Sequence, residues 1–184
     1  PAHWAVVANG GETARREENG RATVTFAETQ PLPTYLFAFT AGTFTIESAE
    51  RNGRLFRMFH RETDPAKIAH NKDALFTLHE KALAWLEDYT GIPYPFGKFD
   101  FVLIPSFQFG GMEHAGAILY NAASMMLEQT ATQNQLLERA STIAHETAPL
   151  PDNVEILAVN SMVKHDLGAS EYPVRVRECQ EAVA

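Results

Sequence analysis

Cysteine is almost absent from this sequence: Cys179 is the only one. An internal disulfide is therefore impossible and no thiolate cluster can hold a metal, so any metal must sit on histidine and carboxylate ligands. A lone thiol also leans toward a reducing, cytoplasmic compartment. Long apolar runs are missing too. Nothing approaches the roughly 18 consecutive apolar residues that a membrane span needs, so no membrane partner is expected. Positive charge is in deficit, with 15 Lys and Arg against 23 Asp and Glu for a formal net charge of −8. Nucleic acid and anionic membrane both reward clustered Lys and Arg, and neither is expected as a partner. There is no internal repeat and no low-complexity linker. The chain opens at Pro1, without an initiator Met or a charged-then-apolar leader, and reads as an internal piece of something longer.

What is present is the composition of a globular protein. Hydrophobic residues make up 45% and charged residues 21% of 184 residues, enough for one or two domains with a hydrophobic core. Residues 1–60 carry strand signals. Trp4 to Val7 is a short apolar run closed by Asn9-Gly10, and Ala22 to Phe26 alternates after an Asn19-Gly20 pair suited to a tight hairpin turn. Thr34 to Phe39 is aromatic and apolar without a break, which predicts a strand buried on both faces. Thr43 to Ile46 and Leu55 to Phe59 follow, with Asn52-Gly53 as a second turn signal between them.

At Asp64-Pro65 the pattern changes. Asp is a good N-cap, and Pro suits the first helical position because its missing N–H has no partner to lose there. Apolar residues then recur with a helical period as far as Gly91, a well-placed C-cap. Ile68, Leu75, Leu78, Leu86 and Tyr89 are expected to face the core, as are the aromatics Phe37, Phe39, Trp85 and Phe101. His79 reads as a packing or surface residue of this helix, and His3, His60 and His70 carry no motif. Phe99 to Ile104 predicts a buried strand, Ala117 to Tyr120 another, and Gln133 to Ala148 a second helix.

Two short segments carry the chemistry. Gly110-Gly111-Met112-Glu113-His114 lies between two predicted strands. Paired glycines let another backbone approach closely, and the carboxylate beside them can pair with a cation. Taken alone, the segment reads more readily as a glycine-rich connection with a solvated Glu. The second is His145-Glu146 on the last helix. A His-Glu pair on a helix is the first half of H-E-x-x-H, in which two histidines at i and i+4 bind zinc on one face and the Glu acts as general base. Alone, this pair is also a weak signal.

Their order and spacing are more telling. His145 follows His114 by 31 residues, with a predicted strand and helix between them. This layout resembles that of the M1 (gluzincin) zinc aminopeptidases. Four other segments resemble that family's strand and loop signatures in the same order: Trp4 to Gly10, Thr34 to Gly42, Tyr94 to Asp100 and Gly116 to Tyr120. The resemblance covers residues 1–148.

That resemblance implies a zinc-dependent release of N-terminal residues from peptides. It implies an α+β fold in which the end of a β-sandwich or saddle domain (residues 1–62) is followed by a thermolysin-like α+β catalytic fragment (63–148). Residues 149–184 form a tail without family resemblance. Glu113 would pair with the free α-ammonium of a peptide substrate, a charge-assisted contact that a mid-chain amide could not satisfy. Gly110, Gly111, Met112 and His114 would lie along the bound peptide, His114 standing where many relatives have Asn. His145 would be the first zinc ligand and Glu146 the base.

The resemblance then breaks. Pro149 stands four residues after His145, where the family has its second histidine. Proline supplies no ligand and disfavours helix at its own and the preceding position, so the helix is expected to end near Thr147. The position in register for the third ligand is Gly168. His165, Asp166 and Glu171 are nearby but nothing fixes their geometry. The chain as it stands is expected to be incomplete and inactive alone. A reading from a different class, a non-catalytic peptide-binding or structural module that keeps Glu113 and the glycine edge, remains open.

Overall fold

The computed structural model of the chain describes residues 1–147. Its centre is a mixed five-stranded sheet in the order β5-β6-β7-β9-β8. The strands are β5 (Thr45–Arg51), β6 (Arg54–His60), β7 (Phe99–Ile104), β8 (Gly111–Met112) and β9 (Ala117–Asn121). Two antiparallel ribbons precede them, β1 (Ala5–Ala8) with β4 (Phe39–Gly42) and β2 (Glu12–Glu18) with β3 (Arg21–Phe26). Three helices complete the described residues: α1 (Pro65–Thr90), α2 (Ala122–Met125) and α3 (Gln133–Glu146). The α+β class expected from the sequence is the class found.

β7 shows why the sheet sits where it does. Its residues alternate between two covered faces, as a strand with period two must when both sides are buried. Phe99, Phe101 and Leu103 point into the main core with Phe56, Met58, Leu75, Phe76 and Leu83. Val102 joins Val7, Phe59 and Ala117 on the opposite face. Asp100 is the exception among these apolar residues. It is buried, and its carboxylate accepts from Arg57 at 2.7 and 2.6 Å and from Lys98 Nζ at 2.7 Å. A buried charge with three charge-assisted donors is tolerable where an unpaired one is not.

Both predicted hairpin turns form as read. Asn19 and Gly20 have φ of 52° and 73°, and Asn52 and Gly53 have φ of 50° and 72°, the paired positive values that a two-residue turn requires and that Asn-Gly tolerates. α1 also begins and ends as expected. Asp64 Oδ1 accepts from the Ala66 N–H at 2.8 Å, and Gly91, left-handed at φ 67°, donates to the Glu87 carbonyl at 3.0 Å.

Two expectations need correction. Thr34 to Phe39 is not a doubly buried strand. Residues Thr34–Leu36 form a 3-10 turn ahead of β4, with Leu36 and Ala38 inside and Tyr35, Phe37 and Phe39 outside at 59%, 67% and 67% exposure. Pro31 and Pro33 set a turn ahead of the aromatic run, since neither can donate to a ladder. On α1, Leu75 is buried and Ile68, Leu78 and Leu86 are half-buried, but Tyr89 and Trp85 face outward and stack on each other at 4.9 Å. The inner face is taken instead by Asn71, Leu75, Phe76, His79 and Leu83. The expected division between residues 62 and 63 lies between two strands of one sheet. β6 before it pairs in parallel with β7 after it, and α1 is the crossover that a parallel pair needs.

Candidate active site

The glycine-rich segment lies at the edge of the sheet. β8 pairs antiparallel with β9, Gly111 opposite Tyr120 and Met112 opposite Leu119, and among the described residues no strand pairs with its other side. The Asn121 N–H donates to the Gly110 carbonyl at 3.0 Å, fixing the start of this edge. The sequence suggests only a connection between strands here, because two glycines carry no strand propensity. Pairing with β9 makes the segment a strand.

α3 approaches that edge from the other motif. It starts with a full capping box, in which Thr132 and Gln135 satisfy each other's backbone N–H groups, and it is pinned by buried Arg139 and Ile143. Arg139 Nη1 donates to Asn71 Oδ1 at 2.8 Å, tying α3 to α1. The helix ends at Glu146 with Thr147 as C-cap, which agrees with the stop expected from Pro149.

The two motifs meet at one point. Gly111 lies so close to Glu146 that a Cβ on it would stand 2.4 Å from Glu146 Cγ and 2.6 Å from its Oε1. No side chain fits there, so glycine at 111 is a packing requirement of the Glu146 position. Glu146 is only 6% exposed and its Oε2 has no hydrogen-bond partner among the described residues. Burial raises its pKa above the usual carboxylate range. His145 opposes this shift and the charge of Glu113 adds to it, which places Glu113 within electrostatic reach. A carboxylate whose pKa is raised is better suited to taking and returning a proton than an ordinary one. His145 itself is exposed in the last turn of α3.

Glu113 and Met112 are half-buried, and so is His114, whose Nδ1–H donates to the Leu36 carbonyl at 3.2 Å. Burial lowers the His114 pKa, with that hydrogen bond and Glu113 opposing. Beneath the site, Tyr120 on β9 hydrogen-bonds His79 Nε2 at 3.1 Å while His79 Nδ1 donates to the Leu75 carbonyl at 2.7 Å. This fixes the His79 tautomer, and full burial lowers its pKa to about 4. Of the two roles read for His79, packing or surface, packing is the one observed.

Sequence reasoning missed two contributors. Asn9, read only as a turn residue, is buried and hydrogen-bonded to both the 36–38 segment and Ala115. Tyr35, read as core, is 59% exposed; partial burial first, then the charge of Glu113, raises its pKa, which places it within electrostatic reach of Glu113. The sequence signal for Asn9 was a polar residue closing an apolar run; for Tyr35 there was none.

The donor set does not make a zinc centre by itself. Among the described residues there is no group of three or more His, Cys, Asp or Glu able to hold a metal, and a catalytic zinc takes three protein ligands plus water. His145 is the one imidazole in register. Pro149, His165, Asp166, Gly168 and Glu171 lie outside the described residues. Among the described residues, no helix is long and apolar enough to cross a membrane.

Comparison with known proteins agrees with this geometry. Residues 75–149 match the profile of the peptidase family M1 domain. The chain is 35% identical over 133 residues to a probable aminopeptidase 2 of Sulfurisphaera tokodaii, covering 72% of this chain and 16% of the relative. It is 28% identical over 143 residues to a leucyl aminopeptidase of Saccharolobus solfataricus, covering 78% of this chain and 18% of the relative. A puromycin-sensitive aminopeptidase of Caenorhabditis elegans is 32% identical over 132 residues, which is 71% of this chain and 14% of the relative. The chain thus spans less than a fifth of the length of these curated relatives. With the profile match falling on the residues that build the Gly111–Glu146 contact, and with aminopeptidases similar across most of its described length, this chain belongs to peptidase family M1.

Proposed function

We propose that this chain is the glycine-edge and first-helix portion of a zinc-dependent aminopeptidase site, one that removes N-terminal residues from peptides. The observation that carries the reading is the Gly111–Glu146 contact, which brings the two motif segments together. In this reading the open side of β8 receives the backbone of the peptide as an added strand, with Gly110, Gly111, Met112 and His114 along it. Glu113 pairs with the substrate's free α-ammonium. Glu146, whose pKa burial raises, accepts a proton from the attacking water in its carboxylate form. His145 is the first zinc ligand, and the described residues supply no other in register.

In this reading residues 1–62 are the end of the preceding β domain and residues 63–148 the start of the catalytic piece, joined through the sheet that β6 shares with β7. The chain alone is inactive, since Pro149 and Gly168 stand where the second and third ligands should be. Pro149 also favours a second reading, a non-catalytic peptide-binding module that keeps Glu113 and the β8 edge. Zinc content of the purified chain and hydrolysis of an amino-acid anilide, with added zinc and a chelator control, separate the two. Stoichiometric zinc with chelator-sensitive turnover would refute the inactive chain; zinc-free protein that still binds free-amine peptides would favour the module. Peptides whose binding ignores blocking of the amino group would sink both.

A further inference from the structure

A buried amide joins the 34–38 turn to the chain that follows β8. Asn9, directly after β1, is 6% exposed. Its Nδ2 donates to the Leu36 carbonyl at 2.9 Å and to the Ala115 carbonyl at 2.8 Å, and its Oδ1 accepts from the Ala38 N–H at 2.8 Å. His114 adds its Nδ1–H to the same Leu36 carbonyl at 3.2 Å. Both donors and the acceptor of the amide are used, so the joint has a single arrangement. Only an amide satisfies it at this length: Asp would face two carbonyls with no donor, and Ser offers one donor on a shorter stem.

The residues after Glu113 are clamped in turn. The His114 N–H donates to the Met112 carbonyl at 2.9 Å, and the Ala117 N–H to the His114 carbonyl at 2.9 Å. The Gly116 N–H donates to Tyr94 Oη at 3.1 Å, and the Gly116 carbonyl accepts from Lys98 Nζ. Gly116 is left-handed at φ +68°, and a Cβ on it would lie 2.6 Å from the Asn9 carbonyl oxygen, so the Asn9 backbone abuts the loop as well. Tyr94 and Lys98 thus hold Gly116 from the connection ahead of β7. Ala115, fully buried and nearer to Glu113, is held by Asn9. Without that amide the Ala115 carbonyl would stay unsatisfied or swing its peptide plane toward water, and the chain leading back to Glu113 would move with it.

We propose that Asn9 is a positioning residue for the amine-binding edge: it fixes the Ala115 carbonyl and, through Leu36, the His114 ring, and so sets the pose of the chain that carries Glu113. The proposal rests on the reading of Glu113 as the amine-binding carboxylate. Asn9 does not touch the ligand. Its contribution is preorganisation, since an edge already held in its binding pose has less ordering to undergo when the peptide arrives. Asn9 lies within residues 1–62, so in this reading the β domain helps to set the selectivity of a site carried by the catalytic piece.

The test uses the full 184-residue chain with L-leucinamide as the amine probe and N-acetyl-L-leucinamide as the control without an ammonium group. Binding is followed through the backbone amide resonances of residues 110–116. Leucinamide is expected to bind in preference to the control, and Glu113→Gln to abolish that preference. Asn9→Ser, which keeps a polar group but cannot span the three partners, is expected to weaken leucinamide by roughly three- to tenfold, the scale of one lost hydrogen bond. Binding of the control should not change, a selectivity that general loosening of the fold would not give. In the Glu113→Gln background Asn9→Ser should have no further effect on leucinamide, the non-additivity of a residue acting through another. A second measurement needs no variant at Asn9. Coupling is reciprocal, so if the closed joint favours the amine, the amine favours the closed joint. The Ala38 N–H, whose acceptor is Asn9 Oδ1, should therefore exchange with solvent about tenfold more slowly at about ten times the leucinamide Kd, and at its native rate with the control. Unchanged leucinamide affinity in Asn9→Ser, equal weakening of both probes, an equal loss in both backgrounds, or Ala38 exchange unmoved by leucinamide would overturn the proposal alone. If Asn9→Ser does not fold, the Ala38 exchange decides. An amine preference absent from the native chain, or surviving Glu113→Gln, would overturn the reading of Glu113 and the proposal with it.

Discussion

The Glu146 side chain rests directly on the backbone of Gly111, with no space for a methyl group between the last turn of α3 and the edge strand β8. This contact joins residues that lie on separate elements, and it explains why a glycine and a glutamate must be chosen together. Gly111→Ala is therefore expected to destabilise the chain by about 1–3 kcal/mol, the usual cost of overpacking. Glu146→Ala removes the obstructing atoms. The double variant should then be more stable than the sum of the single effects predicts, by an amount on the scale of about 0.5–3 kcal/mol found for touching residues. Urea denaturation of the four proteins measures it, and strict additivity would mean that the two groups do not touch.

Asp100 supports the site from below. Its carboxylate holds both Arg57 and Lys98, and Lys98 in turn donates to the Gly116 carbonyl in the loop that follows Glu113. Asp100→Asn leaves two cations facing each other with one acceptor oxygen, a change expected to cost roughly 3–5 kcal/mol. The loss should shrink when Lys98→Met is added, because one of the stranded charges is gone. Equal destabilisation of the single and double variants, read by the same unfolding experiment, would argue that the pair contributes independently.

His79 makes the stability of the fold sensitive to acid. Its pKa falls from 6.5 to about 4 on folding, because burial against Phe101 and Tyr120 penalises the charged ring. The unfolded chain therefore binds a proton between those two values that the folded chain does not. Stability from this group is intact above about pH 6.5 and is lost progressively as pH falls toward 4. The full loss is on the order of 3 kcal/mol, from about 1.4 kcal/mol per pKa unit. His79→Gln should lower stability at pH 7 through packing, yet flatten the slope between pH 6.5 and 4. An unchanged slope in the variant would assign the acid sensitivity elsewhere, with His60, also buried, lowered by burial and without a ring-nitrogen partner among the described residues, the next group to test.

Much of this architecture was legible in the sequence because its signals are local. The Asn-Gly turns, the Asp64-Pro65 start and Gly91 stop of α1, and the apolar block of β7 each state their conformation within a few residues. What escaped depends on partners distant in the chain. β2, Glu12 to Glu18, is exposed throughout and has no apolar alternation; it is a strand only because β3 pairs with it. The inner face of α1 includes Asn71 and His79, polar residues admitted because Leu127, Arg139 and Tyr120 satisfy them. Their outward counterparts, Trp85 and Tyr89, have the right residue type on the wrong face. At the Gly111–Glu146 contact the sequence names both residues, whereas the bonds of Asn9 to the 34–38 turn and to Ala115 became visible only in the structure.

Pro149 stands where the resemblance places a second histidine, and proline disfavours helix at its own and the preceding position. α3 ends at Glu146, one turn short of the position where a second histidine would face His145. One imidazole in register fixes a zinc ion poorly, so the chain should bind zinc far more weakly than a site with three protein ligands. Pro149→His restores an i, i+4 pair and removes the residue that disfavours helix, a local relief of roughly 3 kcal/mol. Zinc affinity, measured by competition with a chromogenic chelator, is therefore expected to rise at least about tenfold, the direction a second ligand must give. The helix should lengthen by several residues, visible as added amide protection at 147–150. Turnover of an amino-acid anilide should stay absent, because Gly168 still stands where the carboxylate ligand is expected. Zinc affinity unchanged by the substitution would mean that His145 does not point to a metal position at all. Turnover near an ordinary enzymatic rate, about 1 per second or more, in either protein would show that residues beyond 147 supply the missing ligands, with His165 and Glu171 the first to mutate.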